Sequence, residues 1–167
     1  MIVPLVSARR SITAVSPSLL LRASAVVQRV LRDTHYVAGA LEALQSAVQA
    51  PGADGHALAS MAGDDIDGII VFGIFAGTSG AGRLHFAVVE YRARRDGVAR
   101  TLVTAAIESL EASGARFVLA ELPDDARELP GSRALLDALG FHEESRINDF
   151  HRRGVALVFM RRELSPH

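Results

Sequence analysis

Apolar residues recur at helical spacing over residues 19–30 and again over 37–48, which predicts two amphipathic helices, the second carrying Glu42. Residues 1–16 read ambiguously, with 10–15 fitting a first strand. The run Ala50-Pro-Gly-Ala-Asp-Gly reads as a loop. Residues 56–61 and 68–76 read as two strands joined by the turn Gly63-Asp64-Asp65. The glycine-rich stretch 77–82 lies between strands, so a hairpin is expected there, leading into a strand over 84–89. Over 97–113 the positions Val98, Leu102, Val103, Ala106, Ile107 and Leu110 fall on one helical stripe, and Gly114 suits the end of that helix. A short buried-type strand follows over 116–121, then a charged loop over 123–130. A helix over 132–139 stops at Gly140, and two last strands, 141–144 and 156–161, are joined by 148–154. This order implies a mixed α/β domain with one central sheet flanked by helices. The unit strand 84–89, helix 97–113, strand 116–121 makes those two strands parallel, with a ligand crevice at their C-terminal ends.

With 167 residues, 49% of them hydrophobic and 22% charged, one domain with a sizeable core is expected. The formal net charge of -1 argues against a nucleic-acid binder working by counterion release. The chain has no cysteine, which excludes disulfides, thiolate nucleophiles and Cys-based zinc sites and is compatible with a reducing cytoplasm. Its six histidines show no metal-binding spacing, so no metal is expected. The N-terminal ten residues lack a basic segment before their apolar stretch, so no secretory signal is expected. The longest apolar run, residues 69–76, is too short to span a membrane and contains Gly73. The chain has neither a phosphate-binding Gly-x-x-x-x-Gly-Lys-Ser/Thr nor a Gly-x-Ser-x-Gly elbow.

Chemistry concentrates at Arg94-Arg95-Asp96-Gly97-Val98-Ala99, a compact loop between a strand and a helix. A helix N-terminus presents unpaired N–H groups and about half a positive charge to an anion. Gly97 and Ala99 allow close approach, and Arg94, Arg95 and Arg100 add positive charge. Asp96 is discordant, because a carboxylate here repels phosphate; it reads otherwise as the helix N-cap.

The spelling Arg94-x-x-Gly97-x-Ala99 resembles the pyrophosphate-binding motif of the GNAT family of N-acetyltransferases, usually Gln/Arg-x-x-Gly-x-Gly/Ala. Two later segments extend the resemblance. Residues 132–141, ending Leu139-Gly140-Phe141, resemble that family's late helix and strand, typically Ala-x-x-Phe-Tyr-x-x-Leu-Gly-Phe. Arg146-Ile-Asn-Asp-Phe-His151, with Gly154 and the final 160–164, resembles the C-terminus of one branch, which reads Arg-Ile-x-Asp-Phe/Tyr-Tyr-x-x-Gly. The likeness covers residues 66–164, the cofactor-binding core; residues 1–65, on the acceptor side, resemble the family only in topology.

The resemblance implies a GNAT-like fold, acetyl-CoA as co-substrate, and transfer of acetyl to a primary amine by direct attack in a ternary complex. It implies that the main chain of Val88 and Val89 holds the pantetheine arm. Residues 94–101 (Arg94, Arg95, Asp96, Gly97, Val98, Ala99, Arg100, Thr101) would hold the pyrophosphate, with Ser132 on the cofactor and Arg133 next to it. The tyrosine that commonly protonates the departing thiolate falls at Leu136, which has no proton to give. Tyr36 and Tyr91 are the chain's tyrosines, and neither lies in that helix. Three residues are candidates for proton transfer. Glu121 ends a strand beside the crevice and matches a glutamate of this branch, its alternative being a solvated strand end. His85 lies within the cofactor strand, its alternative a hydrogen-bonded core residue. His151 takes the branch's tyrosine position and is a substitute acid, its alternative a surface loop. Glu42 and Asp33 are further residues for the acceptor side, their alternative a solvated helix face, and His35 and Tyr36, after a helix, are further residues to line the cleft. The balanced charge points to a small-molecule amine, no nucleic acid and no membrane, with a homodimer as relatives often form. Two other readings stay open: a degenerate module that binds CoA weakly or not at all, motivated by Asp96 and Leu136, and an enzyme using a longer acyl-CoA.

Overall fold

A computed structural model describes residues 9–52 and 55–165. The N-terminal eight residues and part of the loop read over 50–55 therefore lie outside the described residues. In chain order the elements are β1 (Arg10–Ala14), α1 (Leu20–Leu31), α2 (Val37–Gln49), β2 (His56–Ala62), β3 (Asp65–Ile74), β4 (Ala81–Val89), α3 (Val98–Ala112), β5 (Phe117–Pro123), α4 (Ser132–Ala138), β6 (His142–Arg152) and β7 (Val155–Glu163). A single turn of 3-10 helix, Tyr91–Ala93, follows β4. The seven strands form one sheet in the order β1-β2-β3-β4-β5-β7-β6, antiparallel except for the parallel pair β4–β5. This is the mixed α/β architecture expected from the element order.

The stripe on α3 is buried as its spacing requires: Val98, Leu102, Val103, Ala106, Ile107 and Leu110 pack against Ile70, Phe72 and Val118 of the sheet. Helices α1 and α2 cover the other face through Val26, Val27 and Leu44, packed on Ile69, Val71 and Val88. Gly68 sets how closely α3 approaches β3. A Cβ there would stand 2.8 Å from both Val98 and Leu102 side chains.

Three expectations are corrected. β3 begins at Asp65, not at residue 68, because Asp67 is buried and paired with Arg10 rather than turned to water. β4 begins at Ala81, since Gly82 must pair with Ile74 and Val118 under Leu110. Residues 148–152 are not a loop: β6 runs on to Arg152 through a register shift, and a turn at Arg153-Gly154 leads into β7. A fully exposed strand carries no hydrophobic alternation to betray it.

Candidate functional site

The sheet opens between β4 and β5. Their pairing stops at Leu84 with Ala120, although β4 continues beside β3 to Val89 and β5 beside β7 to Pro123. Residues 85–89 and 121–123 therefore diverge, and two cavities occupy the gap. One, about 640 Å³, lies toward α3 and is lined by Val88, Val89, Arg94, Arg95, Gly97, Val98, Ala99, Arg100 and Ser132 among others. The other, about 450 Å³, lies toward α2 and β6 and includes His35, Tyr36, Arg83, His85, Glu121 and His151. Both include Leu31, Ala87, Val88, Leu129, Ser132 and Leu135, so the two are halves of one cleft through the sheet.

The first half is bounded by the loop before α3. Arg95 has φ 68° and Gly97 has φ 78°, both left-handed. That conformation turns the chain so that α3 begins with N–H groups lacking intrahelical acceptors. It is the backbone angle, not crowding, that calls for glycine at 97. Asp96 is not the N-cap: Gly97 occupies that position, without a side-chain cap. The Asp96 carboxylate instead accepts from Arg10 Nη2 of β1 at 2.8 Å, while Arg10 Nε donates to buried Asp67 at 2.7 Å. Arg10 thus offsets the charge that made Asp96 discordant. Thr101 does not line the cavity; its hydroxyl donates to the Gly97 carbonyl at 3.0 Å.

At the second half, the three proton-transfer candidates come together. Arg83, His85 and Glu121 alternate onto the same face of the opened strands, and Arg83 Nη2 donates to Glu121 at 3.1 Å. His151 packs edge to face on Tyr36, ring centroids 5.6 Å apart. Burial, together with the charge of Arg152, lowers the His151 pKa below its ordinary value, so the neutral imidazole predominates at pH 7. That favours accepting a proton over the donor role implied for it. Leu136 is buried at the cleft wall, where it offers no hydroxyl. Glu42 and Asp33 are exposed and outside both cavities, and Asp33 lies 3.7 Å from Arg32.

A charged cluster absent from the sequence reading lies beside Tyr36 and His35, with Asp125 and Arg152 outside both cavity linings and Glu128 on the lining of the first half. Buried Asp125 accepts from the Tyr36 hydroxyl at 3.0 Å, from Arg152 Nη2 at 2.8 Å and from the Glu128 N–H at 3.2 Å. Burial alone would push the Asp125 carboxyl up, but those three donors outweigh it and hold it below the ordinary carboxylate value. Burial and the hydrogen bond to Asp125 push the Tyr36 phenol up to about 12. His35 Nδ1 meets Glu128 at 3.0 Å, which lowers the Glu128 pKa. Tyr36 and His35 were legible as cleft residues, whereas Asp125 and Arg152 sit in polar stretches that read as ordinary surface.

Among the described residues no helix is long and apolar enough to cross a membrane, and no group of three or more His, Cys, Asp or Glu could hold a metal ion. No family model and no curated protein matches the sequence. Solved structures do match in fold. A protein of Desulfovibrio desulfuricans assigned to the GNAT family of acetyltransferases superposes with a TM-score of 0.79 at 22% identity, covering 93% of this chain and 99% of its own. The ribosomal-protein-S18-alanine N-acetyltransferase of Escherichia coli gives 0.75 at 16% identity, covering 95% and 96%. An aminoglycoside 6'-N-acetyltransferase complexed with coenzyme A gives 0.75 at 16% identity, covering 94% and 98%. The chain therefore has the fold of the GNAT-family acetyltransferases.

Proposed function

We propose that the chain transfers the acetyl group of acetyl-CoA to the primary amine of a small molecule, within a ternary complex. The observation that carries this reading is the cleft itself. It is continuous from the arginine-flanked start of α3, through the gap between β4 and β5, to Glu121 and His151. The residues fit a CoA thioester. Arg94, Arg95, Arg100 and the first N–H groups of α3 would hold the pyrophosphate, and Ser132 borders both halves. Beyond Leu84 the β4 edge is released from β5, so its main chain beside Val88 and Val89 is available to an extended pantetheine arm.

In this reading, neutral His151 accepts the proton of the incoming ammonium, directly or through water. Glu121, fixed by Arg83, and His85 line the path and orient the amine. The amine nitrogen attacks the thioester carbonyl, the C–N bond forms, and the C–S bond breaks with its electron pair leaving on sulfur. Leu136 gives the sulfur no proton; a thiol of pKa about 8.5 is a fair leaving group without one. The contrasting reading, a module that keeps the fold without CoA chemistry, is favoured by that leucine. Calorimetric titration with acetyl-CoA separates the two. Micromolar binding, lost in Gly97→Glu, supports the transferase. Absence of binding by the unaltered chain leaves the fold without its chemistry.

A further inference from the structure

Among the described residues, Arg83 and Glu121 are the fixed charges on the lining of the cavity toward α2 and β6; Asp125, Glu128 and Arg152 stand outside it. Arg83 Nη2 donates to Glu121 Oε2 at 3.1 Å. Arg83 Nε is buried and has no hydrogen-bond partner among the described residues. A guanidinium carries only donors, and a buried donor left unanswered bears the cost of its lost hydration. Glu121 does not relieve it, because its carboxylate reaches only Nη2. Phe75, with its ring centroid 5.0 Å from Arg83 Cζ, offers no oxygen. The Arg83 side chain is 31% exposed, so the guanidinium has room to turn its Nε edge to an incoming oxygen. Apart from these two charges, three histidines, Tyr36 and Ser132, every residue on the lining is apolar or glycine.

Resting on the transferase reading above, we infer that the acceptor is a free α-amino acid with an apolar side chain, its carboxylate held by Arg83 and its amine by Glu121. A carboxylate matches the planar fork of a guanidinium and takes Nε together with a neighbouring Nη. The spacing selects the α position. Arg83 and Glu121 are in contact, so the anion and the amine that answer them must also be neighbours on the acceptor. An α-amino acid carries both on one carbon. An amine far along a chain from its carboxylate answers one member of the pair, and a monoamine leaves Nε orphaned. A polyamine or an aminoglycoside brings further ammonium groups to a lining whose carboxylate, Glu121, is already shared with Arg83. A zwitterion keeps the balance of one fixed positive and one fixed negative charge, and its side chain lies against the apolar remainder. The reaction balances with the two substrates alone. The nitrogen gains the acetyl carbon, and the C–S bond breaks with its electron pair on sulfur. Of the two protons the ammonium gives up, one leaves through His151 to solvent and one ends on the released thiol.

The test is a thiol-release assay on the full chain with acetyl-CoA. The acceptors are phenylalanine, leucine, phenylalaninamide, 2-phenylethylamine, 6-aminohexanoate, spermidine and kanamycin. The expected result is a kcat/KM for the better of the two amino acids at least about tenfold above each of the other acceptors. In Arg83→Gln, the ratio of kcat/KM for phenylalanine to that for 2-phenylethylamine is expected to fall at least about tenfold, with retained acetyl-CoA binding showing that the variant folds. Should the variant not fold, the comparison of acceptors on the unaltered chain decides. Any other acceptor within about tenfold of the better amino acid overturns the inference, as does an unchanged ratio in the folded variant. Acetyl-CoA binding without turnover of either amino acid also overturns it and leaves the transferase reading standing. If calorimetry shows no acetyl-CoA binding, the transferase reading itself fails, and the inference with it.

Discussion

Replacing Arg10 with glutamine removes two ion pairs with separable consequences. The first is structural. Asp67 is 1% exposed, and its Oδ1 has no hydrogen-bond partner among the described residues. Arg10 Nε, at 2.7 Å from Oδ2, is what answers this buried charge. Leaving a buried carboxylate without its partner costs about 3 kcal/mol, the low end for a broken buried pair, because Arg10 is itself partly open to water. For a chain of this size that corresponds to a melting temperature lower by about 6–12 °C. The second consequence is electrostatic. Asp96 is half-exposed beside the loop assigned to pyrophosphate, and without Arg10 its charge is uncompensated. A screened carboxylate several ångströms from the phosphates costs about 1 kcal/mol, or roughly fivefold in Kd. Arg10→Gln, Asp96→Asn and the double variant, each measured by thermal melting and by calorimetry with acetyl-CoA, separate the two. The double variant should keep the low melting temperature of Arg10→Gln, because Asp67 stays orphaned, but recover the acetyl-CoA affinity. If asparagine at 96 restores no affinity in the Arg10→Gln background, the charge argument is wrong and Arg10 serves the loop only by holding it in place.

Gly97→Ala places a side chain at φ 78° and should cost about 1 kcal/mol by chemical denaturation, with weaker acetyl-CoA binding. Gly68→Ala drives a methyl group within 2.8 Å of Val98 and Leu102, so α3 must shift; a loss of about 1–3 kcal/mol in urea unfolding is expected. Tyr36→Phe removes one of three donors to Asp125 and should destabilise by about 1 kcal/mol. Because the Tyr36 pKa is raised in the folded chain, that contribution is present below pH 10 and fades as pH rises toward about 12. His151 carries a lowered value, so the unfolded chain takes up its proton first, and its contribution to stability is lost as pH falls below about 6.5. In activity, kcat/KM should hold on the acid side down past the ordinary histidine range, and His151→Gln should abolish that limb. An unchanged pH profile in the variant would remove His151 as the proton acceptor.

The half of the cleft at the start of α3 was legible because its signals are local. The stripe on α3, the glycine before it and the arginines around it lie within one short stretch of chain, and periodicity alone fixes which side of the helix is buried. The parallel pairing of β4 with β5 followed from the handedness of a strand-helix-strand unit. The surroundings of the other half are assembled from residues far apart in sequence. Asp67 carried no signal in the sequence, because its partner, Arg10, stands 57 residues away on another strand. Tyr36 and Asp125 are 89 residues apart, and Arg152 lies on a strand with no buried face to announce it. Asp96 was misread for the same reason. Its position before a helix suggested a cap, whereas a partner 86 residues away decides where its side chain goes.

All 18 basic residues of the chain are arginine; it has no lysine. The planar fork of a guanidinium can hold two carboxylates at once, where an ammonium is a point charge with no fixed pair of directions. The chain uses this at both ends of the cleft. Arg10 spans Asp67 of β3 and Asp96 of the loop before α3, and Arg152 reaches Asp125 and Glu128 of the loop after β5. Arg146 repeats the arrangement between Glu143 and Asp124. The cleft therefore opens between arginine clamps, and between them lies Arg83, whose Nε is buried with no hydrogen-bond partner among the described residues. Under the proposed acetyl transfer, a chain of this composition would have no lysine side chain to compete with the acceptor for the acetyl group.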